Sequence, residues 1–361
     1  MHLSRRVPVG SANELARLRA KLLTDGVAVA ELTDTNPTNY GLADERISDI
    51  LARATTTCYE PDPRGLLSAR EALAARFGGE PGHYWLTAST SEAYSWLFAL
   101  LGDPGDQVAI PAPGYPLIEP LARLSGLEVG EYRTFYVARG WEYDLDSVAA
   151  KAAGPGMRAL VVVNPNNPTG ALTDSDAAAQ LAAICAEHGL ALIADEVFLP
   201  FSDGGVPVPA DFTLDGLSKL LAAPGLKLGW IKAPSLSREA AAALDVVADT
   251  YLSANSAVQR ALPELLALAD DTVARVNARL RANLDALRAA FGPRVRPVQG
   301  GWVALVDMGE DVSQRLLLEE HVYAHPGWFY GLDARTLVVS LLPSPPSAPY
   351  DALRRVARPD S

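Results

Sequence analysis

Four short segments carry residue types that could do chemistry, and each follows an apolar run or opens a helix. In Gly216-Leu217-Ser218-Lys219 a lysine sits among apolar residues, with a second cation, Lys227, eight positions on in Lys227-Leu228-Gly229-Trp230. That setting invites a lowered pKa and a nucleophilic amine, although a lone lysine is more often solvated surface. Leu190 to Ala194 run straight into Asp195 and Glu196, which puts a carboxylate at the end of a buried strand. A charge is costly there unless a cation pairs with it, and many strands end instead in a solvated Asp. Asn164-Pro165-Asn166-Asn167-Pro168-Thr169-Gly170 joins an apolar strand to a helix at Asp174, and its two prolines and glycine constrain it more than a plain turn requires. Ser89-Thr90-Ser91-Glu92-Ala93 opens a helix running through Tyr94, Leu97 and Leu101. Such a helix start binds phosphate readily, an ordinary N-cap being the alternative.

The elements that must position these loops read as α/β, because short β-branched runs alternate with Ala- and Leu-rich stretches of helical period. The pattern predicts strands at Tyr84–Thr87, Gln107–Pro111, Glu128–Phe135, Ala159–Asn164, Leu190–Ala194, Thr213–Gly216 and Lys227–Lys232. In an open α/β sheet the ligand crevice lies beyond the carboxyl ends of the strands, where these loops fall. From about Ser235 long Ala/Leu/Arg helices take over, broken near Ser253 to Ser256 and ending at Phe291 and Gly292. Three more strands are expected around Trp302–Val306, Val322–His325 and Leu337–Leu342, then a Pro/Ser-rich loop and a last helix.

With 361 residues, about half of them apolar, the chain can bury a large core in two domains. Its formal charge of -12 repels nucleic acid and anionic membrane surfaces, so an anionic ligand needs a local pocket of donors. Cys58 and Cys185, far apart in sequence, suit neither a disulfide framework nor a zinc site. No apolar stretch is long enough to span a bilayer or to act as an export signal, so a cytoplasmic enzyme is expected. His321 and His325 are four apart, but Pro326 argues against a helical metal face.

A nucleophilic lysine, a buried carboxylate, a phosphate cradle and an Asn-bearing loop are together the parts needed for pyridoxal 5'-phosphate (PLP). Its aldehyde needs an amine, its pyridine nitrogen needs a carboxylate and its phosphate needs donors. In order and spacing the loops resemble the fold-type I PLP enzymes of the class I/II aminotransferase family, over nearly the whole chain. The resemblance implies an aspartate aminotransferase-like fold, with a mostly parallel sheet in a large domain and a smaller α+β domain. It implies an N-terminal segment 1–42 packing with the small domain, a PLP-binding domain 43–245 and a C-terminal domain 246–361. By the same resemblance Lys219 is the Schiff-base lysine, Asp195 the partner of the pyridinium nitrogen and Asn167 the donor to the ring oxygen. Ser89, Thr90 and Ser91 form the phosphate turn and Tyr115 stacks on the pyridine face. Tyr59 reaches the phosphate of a neighbouring subunit, which makes the protein a homodimer.

The sequence departs from the family pattern at four positions. Phe198 replaces a tyrosine hydroxyl beside the ring oxygen. Gly216 replaces a phosphate-binding hydroxyl, with Ser218 as a compensating one, and Lys227 replaces an arginine fork with a point charge. Val338 stands where members carry the arginine that clamps the substrate α-carboxylate. Removing such a buried charge-assisted pair costs on the order of 2 to 5 kcal/mol. Either another cation serves, Arg335 being the nearest in sequence, or the substrate is not a simple α-amino acid. By analogy with the family Trp302, Trp328 and Tyr251 are candidate walls of an aromatic pocket, with small-domain core as the equal alternative. The expected function is transamination between a small amine or amino acid and a keto acid. A PLP lyase using the same residues and an inactive binding protein are the alternatives. A nicotinamide dehydrogenase is disfavoured because no Gly-x-Gly-x-x-Gly turn follows the first strand.

Overall fold

The computed structural model describes all residues except 1, 8–12, 56, 139, 345–346 and 358–361. Thirteen strands are formed by the described residues: β1 Ala30–Glu31, β2 Tyr84–Thr87, β3 Gln107–Ala112, β4 Glu128–Val137, β5 Gly140–Tyr143, β6 Met157–Val163, β7 Ala191–Asp195, β8 Phe212–Gly216, β9 Gly229–Lys232, β10 Val303–Asp307, β11 Val322–Tyr323, β12 His325–Pro326 and β13 Thr336–Ser340. Eight of them build one sheet in the order β2-β9-β8-β7-β6-β3-β4-β5. The run β8-β7-β6-β3-β4 is parallel, and β9 is antiparallel to both its neighbours.

Both faces of this sheet are buried, which is why its strands read as continuous apolar runs. On β6, Ala159, Val161 and Val163 join Trp96, Phe98 and Leu244 on one side, under the helices Thr90–Leu101 and Arg238–Tyr251. Leu160 and Val162 alternate to the other side and meet Leu181 and Cys185 of the helix Ser175–His188. That helix is bounded as its sequence dictates, with Asp174 accepting the Ala177 N–H and Gly189 in the left-handed region after it.

A second core gathers Trp302, Ala304, Val306, Leu337 and Val339 against Val276, Leu280 and Leu287 of the long helix Ala269–Phe291. Its three-stranded sheet runs β10-β13-β12, all antiparallel, and β1 pairs in parallel with β11. Through this pair Ala30–Glu31 is hydrogen-bonded to Val322–Tyr323. The helix Ser256–Leu266, by contrast, packs on the helices Arg46–Ala54 and Leu67–Phe77 beside the large sheet. Two further features differ from the expectation. The stretch Val322–His325 is not one strand, because β11 serves one sheet and β12 another. β5 and β1 were not foreseen, since Gly-Trp-Glu-Tyr and Ala-Glu contain no β-branched residue.

Candidate active site

One row across the large sheet aligns three of the chemically loaded segments. Thr87 on β2, Gly229 on β9 and Gly216 on β8 are Cα partners. The helix start at Ser89–Ser91, the lysine helix after Gly216 and the segment Lys227–Gly229 therefore meet at one edge of the cleft. The approach depends on glycine. A Cβ on Gly229 would lie 3.1 Å from Ser89 C, Thr90 N and Asp215 O. A Cβ on Gly216 would lie 3.1 Å from Gly229 Cα and Leu228 O, so the missing hydroxyl at 216 goes with backbones packed tighter than a side chain allows. Ser89 Oγ caps the helix by accepting the Glu92 N–H at 3.2 Å, while the Glu92 carboxylate accepts the Ala88 N–H. Thr90 and Ser91 follow in the first turn, half-buried. Lys227 is exposed, and among the described residues no carboxylate lies within ion-pair distance of it. Its φ of 50° puts a non-glycine residue in the left-handed region, a strain of about 1 to 2 kcal/mol.

Lys219 stands on the short helix Leu217–Leu220 that β8 leads into. Its Nζ lies 4.7 Å from the Trp302 ring centroid and 5.3 Å from that of Phe198, and those two rings meet edge-on at 5.6 Å. Burial lowers the pKa of this amine, and the nearby Asp195 charge restores part of the loss. Asp195 ends β7, with Oδ2 accepting the Tyr94 hydroxyl at 3.0 Å and Oδ1 the Val197 N–H at 3.3 Å. Burial pushes its carboxyl up to about 6, against the opposing pull of Tyr94, Val197 and Lys219. Two further acids surround it. Glu196 accepts the Val208 N–H at 2.7 Å and the Asn164 amide at 3.3 Å and is raised by burial to about 7. Asp215 accepts the Gly216 N–H and is held well above the carboxylate range by burial.

The Asn164–Gly170 loop is held from within, since Asn166 Oδ1 accepts from Thr169 N and Oγ1 and Asn164 Oδ1 accepts from Thr173 N. Asn167 Oδ1 is buried and hydrogen-bonds to none of the described residues. A buried amide left unsatisfied in this way calls for an outside partner; rotation of the amide offers N–H to an oxygen. Tyr115 follows Gly114, where a Cβ would come within 2.3 Å of Pro111 O, and the pKa of its phenol is raised by burial and by the charge on Asp195. The amine of Lys219, the carboxylate of Asp195, the buried unsatisfied oxygen of Asn167 and the helix start at Ser89–Ser91 are groups of the kinds that PLP would need.

Residues 35–347 match the family model for aminotransferase class I and II. The chain belongs to that family. Class I/II aminotransferases of this fold use PLP. An alanine aminotransferase of Mycobacterium tuberculosis is 31% identical over 230 residues, 59% of this chain and 53% of that one. An S-alkyl-thiohydroximate lyase of Arabidopsis thaliana is 31% identical over 271 residues, 67% of this chain and 56% of that protein. The aligned region thus spans about half the length of these curated relatives. Among solved structures, a double mutant of aspartate aminotransferase from Thermus thermophilus superposes with a TM-score of 0.86 at 27% identity, covering 99% of this chain and 100% of that one. The alanine aminotransferase of Pyrococcus furiosus superposes at 0.88 with 24% identity, a likeness of fold.

Among the wall candidates, Trp302 faces the lysine, but Trp328 is exposed against Phe329 and Tyr251 is exposed against Trp96. Arg335 does not serve the cleft, because it is bound to Asp307 at 3.2 Å at the start of β13. Tyr59 is 59% exposed, on a segment tied outward through Glu60 to Arg260 at 2.8 Å, and makes none of the contacts above within one chain. Sequence reasoning missed Tyr94, which looked like one more apolar helix residue; its place one turn after the phosphate-type helix start was the available signal. Asp215 was equally hidden, since a carboxylate before Gly216 reads as a strand end.

Proposed function

We propose that this family member is a PLP-dependent aminotransferase that moves an amino group between a small amine or amino acid and a keto acid in two half-reactions. The observation that carries the reading is the buried amine of Lys219 within the field of a buried, Tyr94-oriented carboxylate at Asp195. When bound, the cofactor's protonated ring would supply a sink for the electron pair left on the substrate carbon. Asp195, hydrogen-bonded on both oxygens, would keep the ring nitrogen protonated. Asn167 would bond the ring oxygen, and Tyr115 would cover one ring face. The N–H groups of Thr90 and Ser91, with Ser218 and Lys227, would hold the phosphate. Lys219, its proton affinity reduced by burial, is suited to take a proton from the substrate carbon at its Nζ and to give it back on the far side of the reaction.

A homodimer is part of this reading, supported by the exposed Tyr59, Leu67, Tyr251 and Leu252 on packed neighbouring segments. Partition into a larger unit and a smaller one that includes the N-terminal segment is supported by the separate cores. Among the described residues no helix is long and apolar enough to cross a membrane. The absence of a disulfide between the exposed Cys58 and the buried Cys185 suits a reducing cytoplasm. The similarity to a lyase keeps β-elimination as the second reading, with the same residues. The deciding experiment loads the protein with PLP and follows its visible absorbance as an amine and then a keto acid are added. Loss and return of the absorbance with stoichiometric keto-acid use supports transamination. Carbonyl release without any keto-acid requirement would establish the lyase instead.

A further inference from the structure

We infer that the amino donor is a primary amine carrying no carboxylate on its amine-bearing carbon, an inference that rests on the aminotransferase reading. The argument begins with the alternation of β13. Leu337 and Val339 point into the core around Trp302, whereas Val338, equally buried, lies outside that core and points the opposite way. Its cross-strand partners are Leu305 on β10 and His325 on β12. From there hydrogen bonds link this small sheet to the segment that carries Tyr115. His325 Nδ1 shares a hydrogen bond of 3.0 Å with the Tyr330 hydroxyl, and Tyr330 O accepts the Gly114 N–H at 3.1 Å. Tyr115 comes next and feels the charge of Asp195, which in turn feels Lys219.

Among the described residues, this path offers no free positive charge to a carboxylate. Burial lowers His325 to about 4 and raises the phenols of Tyr330 and Tyr115, so all three are neutral at pH 7. Among the described residues, the guanidinium that acts on His325 is Arg19. It is already committed, with Nη2 at 2.5 Å from Glu31 Oε1 and its Cζ 5.2 Å from the Tyr323 ring centroid. Asp195, Glu196 and Asp215 lie at neighbouring strand ends, and Lys219 is the cation that acts on Asp195. A carboxylate next to the reacting nitrogen would thus be buried without a cationic partner along this path, while hydrogen or an alkyl group would suit the apolar Val338 and Leu305. In the balanced half-reaction R–CH2–NH2 leaves as R–CHO, oxidised by two electrons. The cofactor's aldehyde carbon is reduced by two and gains the nitrogen, and water returns the oxygen.

The test uses PLP-loaded protein and two matched pairs, 2-phenylethylamine with L-phenylalanine and isobutylamine with L-valine, in single-turnover conversion of the cofactor to its aminated form. Each amine should react at least about 100-fold faster than its carboxylated counterpart, the discrimination expected of an unpaired buried charge. Val338→Arg should raise the amino-acid rates at least about 10-fold. Amino acids that react as fast as the amines would overturn the donor class and leave the aminotransferase reading standing. Failure of every amine and amino acid to convert the bound cofactor would remove both. Because Val338→Arg could misfold, tryptophan fluorescence provides an independent measure of binding to the unmodified protein. There 3-phenylpropionate should bind at least about 10-fold more weakly than 3-phenylpropan-1-ol, and equal binding would count against the proposal.

Discussion

Replacing Asp195 with asparagine should make the cofactor-free protein more stable as the pH rises. The carboxyl has an ordinary pKa of 3.8 in the unfolded chain and about 6 in the fold. The folded state therefore binds the extra proton between these values, and stability falls as pH rises through them. The penalty on the fold is about 1.6 kcal/mol at pH 5 and about 3 kcal/mol at pH 8. Asparagine keeps the shape and cannot ionise. Relative to wild type it should gain about 1.4 kcal/mol between pH 5 and pH 8 in urea unfolding of the cofactor-free protein. Glu196 and Asp215 push in the same direction, because each is raised further by the Asp195 charge. Holding a destabilising anion makes sense in a site built to meet a cation, so the same variant should bind PLP more weakly. A stability difference independent of pH, or one that shrinks as the pH rises, would refute this reasoning.

Lys219→Ala should abolish turnover while leaving the fold intact by circular dichroism, and a variant with full activity would end the assignment. Tyr94→Phe removes the 3.0 Å hydrogen bond to Asp195 and should cost about 1 kcal/mol of stability at pH 8, less at pH 5 where the carboxyl is largely protonated. Gly229→Ala sets a methyl 3.1 Å from the Ser89–Thr90 backbone; PLP affinity measured by equilibrium titration should fall by an order of magnitude or more. Asn167→Ala should weaken PLP binding without destabilising the cofactor-free protein, because the amide oxygen has no partner there to lose.

Much of the large sheet was legible because parallel strands buried on both faces must be continuous apolar runs, as in Leu160 to Val163. Loops at their carboxyl ends were legible for a related reason: Pro and Gly fix backbones, as they do around Asn167. What stayed hidden was long-range. Tyr94 is an apolar helix residue until the end of β7 lies beside its hydroxyl, 101 positions on. The exclusion of Arg335 depends on Asp307, which only the pairing of β10 with β13 brings near. His325 and Tyr330 gained meaning only when Gly114 was found hydrogen-bonded to Tyr330 across the two sheets.

The account turns on which amine holds the cofactor. Borohydride treatment of the PLP-loaded protein, followed by digestion and peptide mass spectrometry, locates it directly. The pyridoxyl group should be found on the peptide containing Lys219. Its attachment to Lys227 or Lys232 instead, or bound cofactor with no lysine modified, would contradict the central claim.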